Sequence, residues 1–199
     1  MNENTKKQKL CFIDTETTGV NPDENDIFQI SAIVTDGELN EIERLNMKFK
    51  PFSMDNVQDG ALKVTGESIE SLNSLELTSK DAYDKFVSFL DSHCDRYDKL
   101  DKLQLVAYNA PFDSEFLRSF FTKNDDKYFG SWFWFPALCV MQAAAWLVKD
   151  DRRVFQNFKL GTLCECAGLD WDEDGAHDAM YDVEQTLNLY KYLVKQTQK

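Results

Sequence analysis

One apolar run that ends in two carboxylates constrains the fold of this chain more than any other feature. Residues 10–13 (Leu-Cys-Phe-Ile) have the composition of a buried strand, and Asp14 and Glu16 follow one residue apart. Side chains two positions apart on a strand point to the same face of a sheet. Two carboxylates placed there repel each other and lose hydration. A divalent cation is the natural partner for such a pair; the alternative is a strand that simply ends in polar residues.

The composition is that of an acidic chain with enough apolar residues for a sizeable core. Of the 199 residues, 43% are hydrophobic and 15 are phenylalanine, which predicts a single domain over residues 10–199 after a polar tail, residues 1–9. The 22 basic and 35 acidic side chains give a net charge of −13, which argues against broad binding along a nucleic-acid backbone. A small site where bound cations reverse the local field is still allowed.

The tail and the cysteines predict a cytoplasmic protein without a membrane partner. Residues 1–9 carry lysines and no apolar signal-peptide core, and no run approaches the ~18 apolar residues of a membrane span. The five cysteines are odd in number and lack a disulfide-framework pattern, so we interpret them as reduced thiols.

The hydrophobic pattern predicts strands first and helices later. Strands are expected at 10–16, 27–35, 44–49, 103–108 and 132–135, and helices at 60–64, 80–93, 110–121, 137–148, 159–169 and 178–194. Short turns between the first three strands indicate an antiparallel meander. Gly19 is expected to permit a positive φ in the first turn, and residues 149–153 are expected to form a charged loop.

A second carboxylate is predicted near the start of a helix. Asn109 can cap this helix, and Asp113 lies one turn before Leu117 on its apolar side. An ionised aspartate that points inward is costly unless it finds a partner. The alternative is that Asp113 only takes part in the helix cap, where the helix dipole favours it.

A third carboxylate lies on the last helix. Asp182 shares a stripe with Ala179, Leu189 and Leu193, on a face otherwise suited to packing. His177 lies just upstream, at or before the helix start. Alone, such a histidine is more often structural or exposed than catalytic.

Taken together, these features predict one site. Asp14, Glu16, Asp113 and Asp182 provide four carboxylates that match a two-metal phosphoryl-transfer centre. His177 matches a general base that deprotonates the attacking water.

The motifs that carry these residues resemble those of a known family. Residues 14–19 (Asp-Thr-Glu-Thr-Thr-Gly), 109–113 (Asn-Ala-Pro-Phe-Asp) and 177–182 (His-Asp-Ala-Met-Tyr-Asp) resemble, in order and spacing, the three motifs of the DEDDh exonucleases. This family includes ribonuclease T and the proofreading subunit of bacterial replicative polymerase. The resemblance implies an α/β fold of ribonuclease H type, with three antiparallel strands, then parallel strands, flanked by helices. It also implies 3′–5′ release of nucleoside 5′-monophosphates from single-stranded nucleic acid.

The resemblance also implies roles for individual residues. Two divalent cations, Mg²⁺ or Mn²⁺, would be held by Asp14, Glu16, Asp113 and Asp182, with Asp14 bridging both and Asp113 acting through water. Substrate contacts are implied for Thr17, Thr18 and Phe112, although Phe112 is equally suited to the core.

Three alternatives stay open from the sequence. The substrate can be DNA, in proofreading or end processing beside a polymerase or another replication protein, or RNA, in 3′-end trimming. The third alternative is a catalytically silent nucleic-acid-binding or polymerase-associated module of the same fold. The complete set of carboxylates and the histidine favours an enzyme.

Overall fold

The computed structural model describes residues 8–173 and 175–197, which form a mixed five-stranded sheet with helices on both faces. The strands are β1 (Leu10–Thr17), β2 (Ile27–Thr35), β3 (Glu41–Lys48), β4 (Gln104–Ala107) and β5 (Leu138–Cys139). The α-helices are α1 (Asp59–Thr65), α2 (Ile69–Ser74), α3 (Ser79–Asp91), α4 (Ala110–Lys123), α5 (Val140–Leu147), α6 (Leu160–Cys166) and α7 (Ala179–Thr197). Two 3₁₀ segments cover Phe129–Ser131 and Lys149–Val154.

The strand order is β3-β2-β1-β4-β5. The pairs β1–β2 and β2–β3 are antiparallel, as the short turns predict, and β4 and β5 add to the sheet in parallel. Parallel neighbours require crossover connections, and α3 and α4 lie in those connections. The predicted ribonuclease H-like mixed sheet is confirmed.

Strand β1 lies at the centre of the sheet and contributes to two cores. Cys11 and Ile13 face α3 and α4, whereas Leu10 and Phe12 face α5, α6 and α7. The same alternation continues to the strand end. Asp14 and Glu16 therefore lie on the face covered by α7, and Thr15 lies on the face covered by α4.

Several predicted boundaries differ from the structure. The strand expected at 132–135 is reduced to an isolated bridge between Leu103 and Phe133, and β5 forms only after Pro136, which has no N–H to donate to a ladder. The helix expected at 137–148 begins at Val140 and is only partly buried, since Val140 and Ala144 are buried whereas Trp146 is 67% exposed. The expected charged loop at 149–153 is a 3₁₀ helix.

Two smaller differences follow from local chemistry. Helix α2 was not predicted; a reciprocal capping box between Ser68 and Ser71 marks its start. The turn after β1 does not use a positive φ at Gly19, which instead permits close packing: a Cβ there would lie 2.3 Å from the side chain of Asn25. Within residues 8–173 and 175–197, no helix is both long and apolar enough to cross a membrane.

Candidate active site

Three carboxylates from two elements meet where β1 ends. Asp14 and Glu16 project from β1, and Asp182 projects from the first turn of α7, which packs across β1 and β2. One oxygen from each side chain lies within 4.8 Å of the others. The Oδ1 atom of Asp182 is buried and has no hydrogen-bond partner among the described residues. A buried acceptor of this kind is costly unless it finds a partner such as a cation.

The pKa values of this cluster are raised because its carboxylates are buried and its negative charges exceed the positive charge nearby. Burial, followed by the charges of Asp113, Glu16 and other neighbours, raises the pKa of Asp14 well above its usual range. The pKa of Glu16 rises to about 8 through burial and the charge of Asp182, and Lys48 offsets only part of this. Carboxylate oxygens in this number are the ligands that Mg²⁺ and Mn²⁺ prefer. The residues present therefore fit a divalent-cation site.

Asp182 is held in part by the turn of backbone that precedes α7. Burial raises its pKa to about 6, while a hydrogen bond from the backbone of His177 lowers it and the charge of Asp178 raises it. The backbone turn at His177 is therefore hydrogen-bonded to the carboxylate of Asp182. The buried stripe expected on α7 is present, with Ala179, Leu189 and Leu193 all buried.

Asp113 approaches the cluster from the opposite face of the sheet. It is 3% exposed in the first turn of α4, so the inward orientation expected from the helical spacing is correct. Its Oδ1 accepts a 2.9 Å hydrogen bond from the hydroxyl of Thr15. Burial raises the pKa of Asp113 to about 7, and the Thr15 hydrogen bond opposes that rise. Asn109 occupies the N-cap position, but its side chain makes no capping hydrogen bond within the described part of the chain.

His177 lies outside the carboxylate cluster. Its side chain is exposed, and its backbone has φ +67°, a left-handed conformation that is uncommon for residues other than glycine. Gly175, two residues earlier, packs so closely on the Tyr181 ring that a Cβ would lie 3.1 Å from it. The Tyr181 hydroxyl also accepts a 2.6 Å hydrogen bond from the backbone N–H of Asp172. The turn before His177 therefore has an aromatic anchor, whereas the imidazole itself is free to reorient.

The three residues predicted to contact substrate are engaged within the protein. Thr17 donates a 2.6 Å hydrogen bond to the carbonyl of Gly19, and the Thr18 hydroxyl accepts one from the N–H of Asp26. Phe112 is half-buried and packs on Phe116, with ring centroids 4.7 Å apart. The two threonines shape the loop beside Glu16, and their contact with substrate stays a prediction.

Three residues around the cluster were not singled out from the sequence. Thr15 alternates with the ligands on β1 and could have been found from that alternation. Asp178 receives the backbone N–H groups of Met180 and Tyr181 at its Oδ1, which is the N-cap signature of an aspartate just before a helix. Gln29 carries no signal in the sequence, because its position depends on strand register.

Comparisons with known proteins agree with this geometry. The sequence profile of the RNase T exonuclease family matches residues 11–190. Ribonuclease T of Photorhabdus laumondii is 30% identical over 193 residues, covering 92% of this chain and 82% of that protein. Ribonuclease T of Shewanella frigidimarina is 26% identical and covers 92% of this chain and 80% of that one.

Solved structures show the same architecture. The zinc-bound complex of Escherichia coli exonuclease I with single-stranded DNA has a TM-score of 0.76 at 25% identity and covers 97% of this chain. The complex of the same enzyme with a dA16 oligonucleotide has a TM-score of 0.75 at 25% identity and covers 96% of this chain. The present chain spans only about two-fifths of those exonuclease I chains, 41% and 42% respectively.

The fold, together with these comparisons, defines a hydrolase of ribonuclease H-like architecture. The chain belongs to the DEDDh 3′–5′ exonuclease family, as the three motifs predict. Members of this family depend on divalent metal ions, and the acidic cluster of this chain is consistent with that dependence.

Proposed function

We propose that this protein removes nucleotides one at a time from the 3′ end of single-stranded nucleic acid and releases nucleoside 5′-monophosphates. The observation that carries the proposal is the approach of Asp14, Glu16 and Asp182 to within 4.8 Å on one face of the sheet. Asp113 lies behind them, close enough to raise the pKa of Asp14 by its charge.

The four carboxylates have distinct proposed roles. Asp14, Glu16 and Asp182 would hold the divalent cations, Mg²⁺ or Mn²⁺, with Asp14 shared between two ions, and Asp113 would support the second ion through water. The bound cations would supply positive charge to the scissile phosphate and to the attacking water. The Oδ1 of Asp182, which has no hydrogen-bond partner among the described residues, and the raised pKa of Glu16, which Lys48 offsets only in part, support these assignments.

His177 is the proposed general base. Its imidazole accepts a proton from the water that attacks phosphorus, while the bond from phosphorus to the 3′ oxygen of the preceding nucleotide breaks. The exposed side chain has to turn toward the carboxylates to reach that water. Asp182 stays in place because the His177 backbone, rather than its side chain, makes the hydrogen bond to it.

Substrate binding is proposed to be confined to the strand end. With a net charge of −13, the chain is poorly suited to many phosphate contacts. The loop that Thr17 and Thr18 shape, together with Phe112, is proposed to hold the terminal nucleotide, and base stacking would supply affinity. Binding should therefore weaken only gently as monovalent salt is added.

The sugar preference and the biological setting also belong to the proposal. The complexes of exonuclease I contain single-stranded DNA, which supports DNA end processing or proofreading with a polymerase or another replication protein as partner. The ribonuclease T relatives match over most of their own length, which supports RNA 3′-end trimming as the second candidate. All five cysteines are free thiols in the described residues, which supports the cytoplasm as the location.

The experiment compares oligonucleotides of one sequence, made as DNA and as RNA and labelled at the 5′ or the 3′ end. With Mg²⁺, the proposal expects a ladder from the 5′-labelled strand and labelled mononucleotide from the 3′-labelled strand. A closed circular strand and a chelator-treated reaction should both stay uncut. Cutting of the circle, or of linear strands in chelator, contradicts the proposal. If neither the linear DNA nor the linear RNA is cut, the result favours the catalytically silent module.

A further inference from the structure

Gln29 is a buried amide directly beside the metal ligands. It lies in β2 opposite Glu16 of β1 and is 1% exposed. Directly paired residues on neighbouring strands project to the same face of a sheet. The Gln29 side chain therefore lies with Asp14 and Glu16 beneath α7. Burial of a polar group at such a place costs free energy unless the group forms hydrogen bonds.

The contacts of this amide are made with acceptors. Its Nε2 donates to Oδ1 of Asn46 at 3.0 Å and lies 3.3 Å from Oδ2 of Asp178. The Asn46 oxygen is held in turn by the hydroxyl of Ser31, at 2.9 Å. Turning the Gln29 amide over would place its own oxygen against two acceptor oxygens, so the hydrogen-bond network determines its orientation.

Asp178 connects Gln29 to the last helix, because it also forms hydrogen bonds with the first turn of α7. While its Oδ2 receives Gln29, its Oδ1 accepts from the backbone of Met180 at 3.1 Å and of Tyr181 at 3.3 Å. Its carbonyl accepts from the N–H of Asp182 at 3.0 Å. The carboxylate of Asp178 is therefore a link between β2 and the turn of α7 that carries a metal ligand.

Asp178, the residue that links β2 to α7, lies between an exposed turn and a buried helix. His177, one residue earlier, is exposed and has φ +67°, whereas Ala179, one residue later, is fully buried in α7. The contact between Gln29 and Asp178 fixes the first anchored residue after that turn. The His177 side chain can then reorient without displacing Asp182.

We propose that Gln29 is a positioning residue, which holds Asp178 and thereby sets the place of Asp182 relative to Asp14 and Glu16. This inference rests on the proposed metal-dependent function of the same site. The residue type fits the task. A glutamine is long enough to reach α7 from β2, and it supplies two donors without adding another negative charge to a site already crowded with carboxylates.

The test replaces Gln29 by a group of the same shape that, in its ionised form, cannot donate. In Gln29→Glu a carboxylate faces Asp178, and the first turn of α7 is pushed away. Calorimetry with Mn²⁺ and no nucleic acid should show 10- to 100-fold weaker binding, the usual effect of losing a partner that orients a ligand. The Mg²⁺ concentration for half-maximal strand cleavage should rise in proportion.

A double variant and a matched control separate positioning from mere stability. In Gln29→Glu with Asp178→Asn, the new amide can donate to Glu at position 29 while its oxygen keeps the helix cap, so Mn²⁺ affinity should recover to within a few-fold. Gln104→Glu makes the same change in β4, where the amide donates to the carbonyls of Leu105 and Pro136. That variant should lose stability but keep Mn²⁺ affinity.

Several results would overturn the inference. One is a folded Gln29→Glu protein that binds Mn²⁺ as the wild type does, and another is a double variant no better than the single one. Should Gln29→Glu fail to fold, Gln29→Met removes the donors without adding charge. Wild-type affinity for Mn²⁺ in that variant would also contradict the inference. Weakened Mn²⁺ binding in an enzyme that cuts no strand would sustain the inference while refuting the proposed function.

Discussion

The hydroxyl of Thr15 donates a 2.9 Å hydrogen bond to Oδ1 of Asp113, 98 residues away along the chain. Thr15 lies between the two acidic residues of β1, Asp14 and Glu16, and points to the opposite face of the sheet. A single strand end therefore serves both faces at once: Asp14 and Glu16 meet α7 on one, and Thr15 holds the aspartate of α4 on the other. Asp113 is kept in place without being part of the tight cluster.

Removal of this hydroxyl should shift the pH dependence of the enzyme. In Thr15→Val, ionised Asp113 loses a hydrogen bond worth about 1.5–3 kcal/mol, the usual value for a charged acceptor. That corresponds to roughly one to two pH units. The pKa of Asp113, already raised to about 7, should rise further, and the pH at which Mn²⁺ binding is half-complete should move up.

Thr15→Ser is the control for that experiment, because it keeps the hydroxyl and loses only a methyl group. Its pH profile for Mn²⁺ binding should overlay that of the wild type. Identical profiles for Thr15→Val and the wild type would mean that the hydrogen bond has no bearing on the site.

The grouping of the carboxylates in the candidate site could be predicted from the sequence because these residues lie on regular elements. The alternation of β1 places Asp14 beside Glu16, and the helical period places Asp182 on the buried stripe of α7. Gln29 could not be found in this way, because the residue opposite Glu16 depends on the pairing register of β2. Register is a property of the whole sheet and turn, not of any local pattern.

The poorly predicted part of the fold is the region rich in aromatic residues after α4. Residues 132–148 are apolar enough to suit either a strand or a buried helix, and periodicity does not separate the two over short runs. In the structure β5 is only two residues long, and Trp146 on α5 is largely exposed. Pairing with β4 decides the start of that short strand, which the sequence alone does not reveal.

The metal-free protein should lose stability as the pH rises toward 8. The pKa values of Glu16, Asp113 and Asp182 are raised to about 8, 7 and 6 in the folded state, compared with about 4 in the unfolded chain. The folded state therefore binds more protons between these values, and the free energy of unfolding falls as pH increases. This contribution is complete below about pH 4 and is lost as the pH rises through the folded pKa values.

Thermal unfolding at pH 5, 6, 7 and 8, with and without Mg²⁺, checks this expectation. The gain in Tm from Mg²⁺ should be small at pH 5 and largest at pH 8, because the cation binds the ionised carboxylates. In Glu16→Gln the fall in metal-free Tm with pH should be shallower than in the wild type. A Mg²⁺ effect that is equal at all four pH values would contradict the electrostatic account of the site.

Replacement of His177 should lower turnover strongly while leaving the fold and metal binding unchanged. The side chain is exposed, so His177→Ala should change Tm little, while turnover falls about 10²- to 10⁴-fold, the usual contribution of a positioned base. His177→Asn should behave alike, since asparagine tolerates the left-handed backbone at this position. Single-turnover rates at saturating Mg²⁺, together with Mn²⁺ calorimetry, measure both properties.

His93, the other histidine, is the matched control. It is 6% exposed, its ring packs on Phe89 with centroids 5.1 Å apart, and its Nε2 lies 3.0 Å from Oε2 of Glu43. His93→Ala should therefore lower Tm and leave the turnover of the folded enzyme unchanged. The opposite pattern, normal turnover in His177→Ala and a loss in His93→Ala, would show that the base is assigned to the wrong residue.

The carboxylates of β1, α4 and α7 are together proposed to hold the catalytic cations. Calorimetric titration of the chelator-treated protein with Mn²⁺, for the wild type and for Asp14→Asn, tests this proposal most directly. We expect two bound ions per wild-type chain and none in Asp14→Asn, because Asp14 is the residue proposed to be shared by both. Undiminished Mn²⁺ binding by folded Asp14→Asn would contradict the proposal.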